Sequence, residues 1–349
     1  MNQHHNKHHL DQQPQKKQIA IALQGGGSHG AFSWGILERI LERDIFDIKG
    51  FSGTSAGAMN SLMATYGLMK GGNKGAIEYL EKFWWRVSKA ATLSPMQPTF
   101  LDHLISGGDM HFSPGFHWFN MFTNVFSPYD FNPLDINPLR DVLVDLIDFE
   151  ELKKSEVKLY VCATNVKKCK PKIFKLDEMS PEALLASACL PYYYKAVEIN
   201  GEHYWDGGYM GNPPIYPLID GTEVSDILLL KVNPIEINHV PKTVAEIQDR
   251  INDISFNNSL MAEMRMVYFK DRILNIGYDI KGKLRKIHFH AVRAENKLDH
   301  LSLSSKFNAT WKFLNELREL GHKAADEWIR ENYENVGHRS TLDLRKVFN

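Results

Sequence analysis

Apolar and polar positions begin to alternate in an ordered way at residue 18. Residues 18–23 form a short apolar run, closed by Gln24 and a glycine cluster, and predict a buried strand. Residues 31–43 then place Phe32, Ile36, Ile40 and Leu41 at near-helical spacing, so the order is strand, glycine turn, helix. The same order follows at once: residues 48–52 predict a second strand and residues 56–68 the helix that leaves it. Gly71-Gly72-Asn73 breaks the pattern, and residues 76–89 resume it as an amphipathic helix carrying Phe83, Trp84 and Trp85.

Between residues 92 and 138 no period holds. Six prolines punctuate a cluster of aromatics that includes Phe112, Phe116, Trp118, Phe119, Phe122, Phe126, Tyr129 and Phe131. A structureless insertion of this length is usually functional, often a lid. Residues 137–151 read as one further helix, and residues 157–166 as a strong strand that 172–176 can pair with. Ser180 and Pro181 have the character of an N-cap and first helical residue, opening a helix that ends in Ala186-Ser187-Ala188-Cys189-Leu190-Pro191. Two short runs, 196–199 and 203–205, flank Asn200-Gly201 as a hairpin. Beyond them the pattern predicts a strand over 226–233, a long helix over 244–276 and an edge strand over 285–292, with His288 and His290 on one solvated face. A last helix over 305–333 buries Phe307, Trp311, Leu314, Leu317, Ala324 and Trp328. There is no repeat and no Gly/Ser linker, so residues 18–349 are read as a single domain.

Composition adds exclusions. A net charge of −1 over 349 residues gives no electrostatic reason to expect a nucleic-acid partner. Cys162, Cys169 and Cys189 are an odd set without a C-x-x-C pair, which argues against a disulfide framework or zinc ribbon and for a reducing compartment. Residues 1–17 are polar and lack the apolar core of a secretory signal, and their His4, His5, His8 and His9 suit a disordered, solvated tail. No stretch approaches the roughly 20 apolar residues that span a bilayer. The expected location is cytoplasmic.

Three stretches carry candidate chemistry. Gly53-Thr54-Ser55-Ala56-Gly57 is G-x-S-x-G, the pattern that sets a serine on a sharp strand-to-helix turn with its hydroxyl exposed. Gly25-Gly26-Gly27-Ser28-His29-Gly30 can present backbone N–H groups at a helix start. A dinucleotide fingerprint would need an acidic residue about 20 positions on, which Asp44 or Asp47 could supply; a Walker loop would need Gly-Lys-Ser/Thr, which Gly30-Ala31 does not. An oxyanion hole fits better, because Ser55 follows on the next strand-to-helix turn. Asp206-Gly207-Gly208 taken alone reads as a turn; its other reading is a carboxylate fixed at a strand end.

Together with Ala186-Ser187-Ala188-Cys189-Leu190-Pro191, these three stretches resemble the four blocks of the patatin-like phospholipase family, in the family's order. The resemblance covers residues 18–217 by motif. Asp249-Arg250-Ile251-Asn252-Asp253-Ile254-Ser255-Phe256-Asn257 and Gly337-His338-Arg339-Ser340-Thr341 are similar to a bacterial branch of that family. The resemblance implies a three-layer α/β/α sandwich with a central, mostly parallel sheet, to which this chain's own pattern adds an aromatic insertion at about 92–138 and a helical extension from about 243. It also implies hydrolysis of lipid acyl esters by a serine–aspartate dyad. By motif, Ser55 is the nucleophile, Asp206 its base, Gly25, Gly26, Gly27 and Ala56 the oxyanion hole, and Gly30, Gly53, Gly57, Gly207 and Gly208 the supporting glycines. Where much of the family has a basic residue, this chain has His29, which can be neutral at pH 7.

The chemistry implied needs no metal and no cofactor, and its partner is a phospholipid or other lipid ester, with peripheral membrane contact through the aromatic insertion. An ordinary hydrolase triad would add a histidine after the acid. His239, His288, His290, His300, His322 and His338 follow Asp206, but none lies in a glycine-flanked setting like the other blocks. The rival functions are an esterase for short soluble acyl chains, a catalytically silent lipid-binding protein and a nucleotide-binding oxidoreductase.

Overall fold

The computed structural model describes residues 16–92, 114–123, 125–237, 239–275, 285–294, 297–298 and 301–344. Its centre is an eight-stranded sheet of β1 (Lys17–Leu23), β2 (Phe46–Gly53), β3 (Lys158–Asn165), β4 (Lys170–Lys175), β5 (Val197–Ile199), β6 (Glu202–Asp206), β7 (Asp226–Lys231) and β8 (His288–Arg293). Their order is β5-β6-β3-β2-β1-β7-β8, with β4 also paired to β3. β3, β2, β1, β7 and β8 run parallel; β4 and β6 run against them, and β5, antiparallel to β6, runs with them.

Strand alternation sorts the core into two sides. Ile19, Ile21 and Leu23 of β1 and Leu228 and Leu230 of β7 point to one face, where they pack on α1 (Gly30–Arg43), α2 (Ala56–Ala91) and the C-terminal helix Trp311–Asn332. Ala20, Ala22, Ile227 and Leu229 point to the other face, against Leu260, Met264 and Val267 of the long helix Val244–Asn275. Helix, sheet and helix make three layers, as the sequence implies. Gly35 and Gly321 let α1 and the C-terminal helix cross closely: a Cβ on Gly35 would strike the Arg318 backbone, and one on Gly321 the Phe32 carbonyl. Arg318 closes the same crossing by pairing with the buried Glu38 and lying 4.8 Å over the Trp34 ring. No described helix is long and apolar enough to cross a membrane.

Four local expectations are revised. Part of the insertion is regular, since Pro114 opens a helix to Thr123; residues 93–113 lie outside the described residues. The helix expected over 137–151 breaks at Ile147, because the Asp148 side chain caps a separate turn, Phe149–Leu152. The last helix begins at Trp311 and not at 305: residues 303–307 form a separate turn, and Asn308 Oδ1 accepts the Thr310 N–H at 3.1 Å. His288 and His290 are not solvated. The segment after Gly337 covers β8, with the N–H groups of Thr341 and Leu342 both 3.0 Å from the Phe289 carbonyl, and His290 is fully buried, 2.9 Å from Asp226 Oδ1.

Candidate active site

Ser55 sits where β2 becomes α2. The backbone turns at this residue with φ 54° and ψ −125°, and α2 starts at Ala56. Such left-handed backbone on a residue with a Cβ costs on the order of 1–3 kcal/mol and is the mark of a serine held on a strained elbow. The glycines around it allow backbone to meet backbone. A Cβ on Gly53 would strike the Gly57 carbonyl, one on Gly57 the Leu23 carbonyl, and one on Gly30 would come within 2.7 Å of Ala56 Cβ.

Asp206 arrives from the opposite direction. One edge of β3 is taken by β4; on the other, β2 pairs along the first half and β6 along the second. Gly53 stands opposite Val161 and Asp206 opposite Ala163, so the C-terminal ends of β2 and β6 meet head-on with only Cys162 between the two pairings. Gly207 lets the chain turn there, because any Cβ would strike the Cys162 carbonyl, and Gly208 leaves room for the Phe256 ring.

Side chains lock this junction. Ser52 Oγ donates to the Pro214 carbonyl at 2.6 Å, Thr54 Oγ1 to the Gly211 carbonyl at 2.5 Å and Thr164 Oγ1 to the Asp206 carbonyl at 2.8 Å. The end of helix Pro181–Ser187 holds both candidate catalytic residues by their backbones: Ser187 Oγ accepts the Ser55 N–H at 2.9 Å, and the Cys189 carbonyl accepts the Asp206 N–H at 2.8 Å. That is a physical role for the third sequence block.

The glycine loop completes the site. Buried Gln24 fixes its start, accepting the Val232 and Asn233 N–H groups at 3.0 Å and donating to the Asn212 carbonyl at 3.2 Å and Asn257 Oδ1 at 3.1 Å. One expectation changes here. The Gly25 N–H is spent on Asn212 Oδ1 at 2.7 Å, so it has no hydrogen left for an oxyanion. Gly25 instead brings the loop against the elbow, where an added Cβ would lie 2.8 Å from Ser55 Cβ. The N–H groups of Gly26, Gly27 and Ala56 have no acceptor among the described residues.

The Asp206 carboxyl is wholly buried. Burial pushes its pKa up to about 7, against the opposing pull of the Gly208 N–H and the Ser55 hydroxyl. Its Oδ1 accepts from Gly208 at 2.7 Å, and its Oδ2 has no partner at full hydrogen-bond distance. No described histidine bonds to either residue: His29 Nε2 meets Ser305 Oγ at 2.7 Å, and His203 lies 3.9 Å from Glu198. A hydroxyl on an elbow, a carboxyl that titrates near neutrality and unspent N–H donors suit acyl transfer.

A family model described as patatin-like phospholipase matches residues 21–219. The chain belongs to the patatin-like phospholipase family. This patatin-like chain is similar to VipD from Legionella pneumophila, at 15% identity and TM-score 0.41, over 90% of this chain and 67% of that one. It is also similar to the type III effector ExoU, at 12% identity and TM-score 0.35, over 89% and 53%. A complex of ExoU with SpcU from Pseudomonas aeruginosa gives 14%, 0.37, 91% and 52%. The chain therefore spans about half to two thirds of the solved chains it matches. No curated protein matches it.

Sequence reasoning missed the residues that build the patatin-like site from behind: Gln24, Asn212, Asn233 and Lys306. Gln24 alone left a signal, as a polar residue ending an otherwise apolar strand. The rest are distant in sequence from what they hold.

Proposed function

We propose that the chain hydrolyses acyl ester bonds of phospholipids, or of related lipid esters, through a Ser55–Asp206 dyad and an acyl-enzyme. Ser55 Oγ attacks the ester carbonyl carbon and passes its proton to Asp206 Oδ2. The carbonyl oxygen becomes an oxyanion that receives the N–H groups of Gly26, Gly27 and Ala56. Collapse of this intermediate breaks the bond to the alcohol, which takes the proton from Asp206. Water then repeats the sequence: Asp206 takes its proton, its oxygen bonds to the acyl carbon, and Ser55 leaves with the proton returned. The carrying observation is the head-on meeting of β2 and β6, which gives a strained serine and a buried carboxyl one site without a histidine. A carboxyl titrating near pH 7 supports the double duty, since it can both take and return a proton there. The test is intact-protein mass after exposure to a fluorophosphonate. One adduct on Ser55 is expected, and none after Ser55→Ala; an unlabelled wild type would favour a silent lipid-binding protein.

The aromatic insertion supports a lipid surface as the place of work. Phe122 packs its ring on Phe126 and Phe131, at centroid distances of 4.8 and 5.6 Å. Trp118, Met121 and Val125 stay exposed beside this cluster. Apolar side chains left in water on an internally packed scaffold suit an interface with lipid. Turnover is expected to rise when the substrate passes from monomers to vesicles, and Trp118→Ser to remove much of that rise. Equal rates on both forms would argue for short soluble esters.

A further inference from the structure

Behind the glycine loop lies a cation that the dyad does not use. The turn 303–307 packs against the turn 27–29, so that a Cβ on Gly27 would strike the Lys306 carbonyl and lie 3.2 Å from Lys306 Cβ. The Lys306 side chain is 13% exposed, and its Nζ lies 3.6 Å from Asp253 Oδ1. It donates to Asn233 Oδ1 at 2.9 Å. Asn233 Nδ2 in turn donates to the Gly25 carbonyl at 2.8 Å. The orientation of that amide is chemically forced, because an ammonium only donates and a carbonyl only accepts.

The Gly25 carbonyl and the Gly26 N–H belong to one peptide group. Three donors therefore point the same way in series: the Lys306 ammonium, the Asn233 amide and the Gly26 N–H. Hydrogen bonds aligned head to tail polarise one another, and a charge buried in low dielectric is little screened. Burial disfavours the charged form of Lys306, and the negative charges of Asp253 and Asp249 oppose that cost.

We propose that Lys306 is a positioning residue for the oxyanion hole, acting through Asn233 and the Gly25–Gly26 peptide to strengthen the Gly26 N–H as a donor; this rests on the dyad reading above. The ammonium never touches substrate. It holds the loop peptide in one orientation and enlarges the partial positive charge that meets the developing oxyanion. The effect belongs to the transition state, where that charge exists, and not to substrate binding.

The test uses the full chain, with a soluble p-nitrophenyl ester as substrate and a trifluoromethyl ketone, which forms an anionic hemiketal on Ser55, as transition-state probe. Lys306→Met is expected to lower kcat about 10- to 100-fold, less than or comparable to losing an oxyanion donor outright, with KM unchanged. Affinity for the ketone should fall by the same factor, and Lys306→Arg should recover part of both. Asn233→Leu, which leaves Lys306 beside Asp253 and Asn252, should give a similar loss, and the double variant should lose no more than the worse single one. If Lys306→Met does not fold because Asp253 is left unpaired, Asn233→Leu decides alone by the same ketone readout. Wild-type kcat in the variants, a loss confined to KM, or multiplicative losses in the double variant would overturn the relay. Fluorophosphonate labelling of the wild type separates the two readings: labelled Ser55 with unaffected variants sinks the relay only, whereas an unlabelled Ser55 sinks both.

Discussion

Ser55→Ala is expected to lower ester hydrolysis by about 10⁴-fold or more while leaving the melting temperature where it was. Both halves follow from the elbow. In the proposed mechanism the hydroxyl is the group that bonds to the acyl carbon, so its loss leaves the oxyanion donors and binding. Stability is unchanged because alanine keeps the Cβ, and at φ 54° and ψ −125° that atom carries the strain. Ser55→Gly should be equally inactive and yet more stable, by about 1 kcal/mol, once relief of strain is set against the greater freedom of glycine in the unfolded chain. Hydrolysis rates and thermal unfolding of the two variants check this, and wild-type turnover in either would remove Ser55 from the mechanism.

Asp206→Asn has the other large effect, and it carries two signs. Hydrolysis is lost, since an amide cannot take the serine proton. Stability rises in alkaline solution. The folded protein holds the Asp206 proton up to about pH 7, against an ordinary value of 3.8. Below 3.8 the carboxyl is neutral in both the folded and the unfolded chain, and burial carries no charge penalty. As pH rises from 3.8 to 7, the unfolded chain releases the proton first, and folded stability falls. Above 7 the penalty is complete, at most about 4 kcal/mol. Asparagine does not titrate, so the variant should be more stable than wild type at pH 8–9, with the advantage fading towards pH 4. In the proposed dyad the same ionisation sets activity, so kcat/KM of the wild type should rise through about pH 7 as the base loses its proton. A flat profile, or equal stability of both proteins at pH 9, would remove Asp206 from the buried, titrating role.

The parts legible in the sequence are those in which backbone approaches backbone. Gly53, Gly57, Gly207 and Gly208 occur where a Cβ would strike a carbonyl or a ring, and this steric demand leaves a local trace. What stayed hidden depends on partners far along the chain. Lys306 falls inside the helix expected over 305–333, because nothing short of the Asn308 cap separates its turn from the helix that follows. His288 and His290 alternate as solvated residues do, but both lie against Asp226, Trp328 packs on His290, and residues 340–342 return over Phe289 between them. The Gly25 N–H looks available in the sequence, and its acceptor, Asn212, lies 187 residues further along the chain.

The head-on meeting of β2 and β6 makes catalysis a gauge of strand register. Side chains alternate along a strand, so a slip of one residue between β6 and β3 would turn Asp206 to the opposite face of the sheet and bring Trp205 or Gly207 to the elbow in its place. A molecule with that error could keep most of its core, since β1, β2 and β7 do not depend on the hairpin. It would be folded by most optical measures and inert. If the proposed dyad operates, the fraction of chains that react with a serine-directed probe therefore counts correctly zippered sheets, molecule by molecule, in any preparation of this protein.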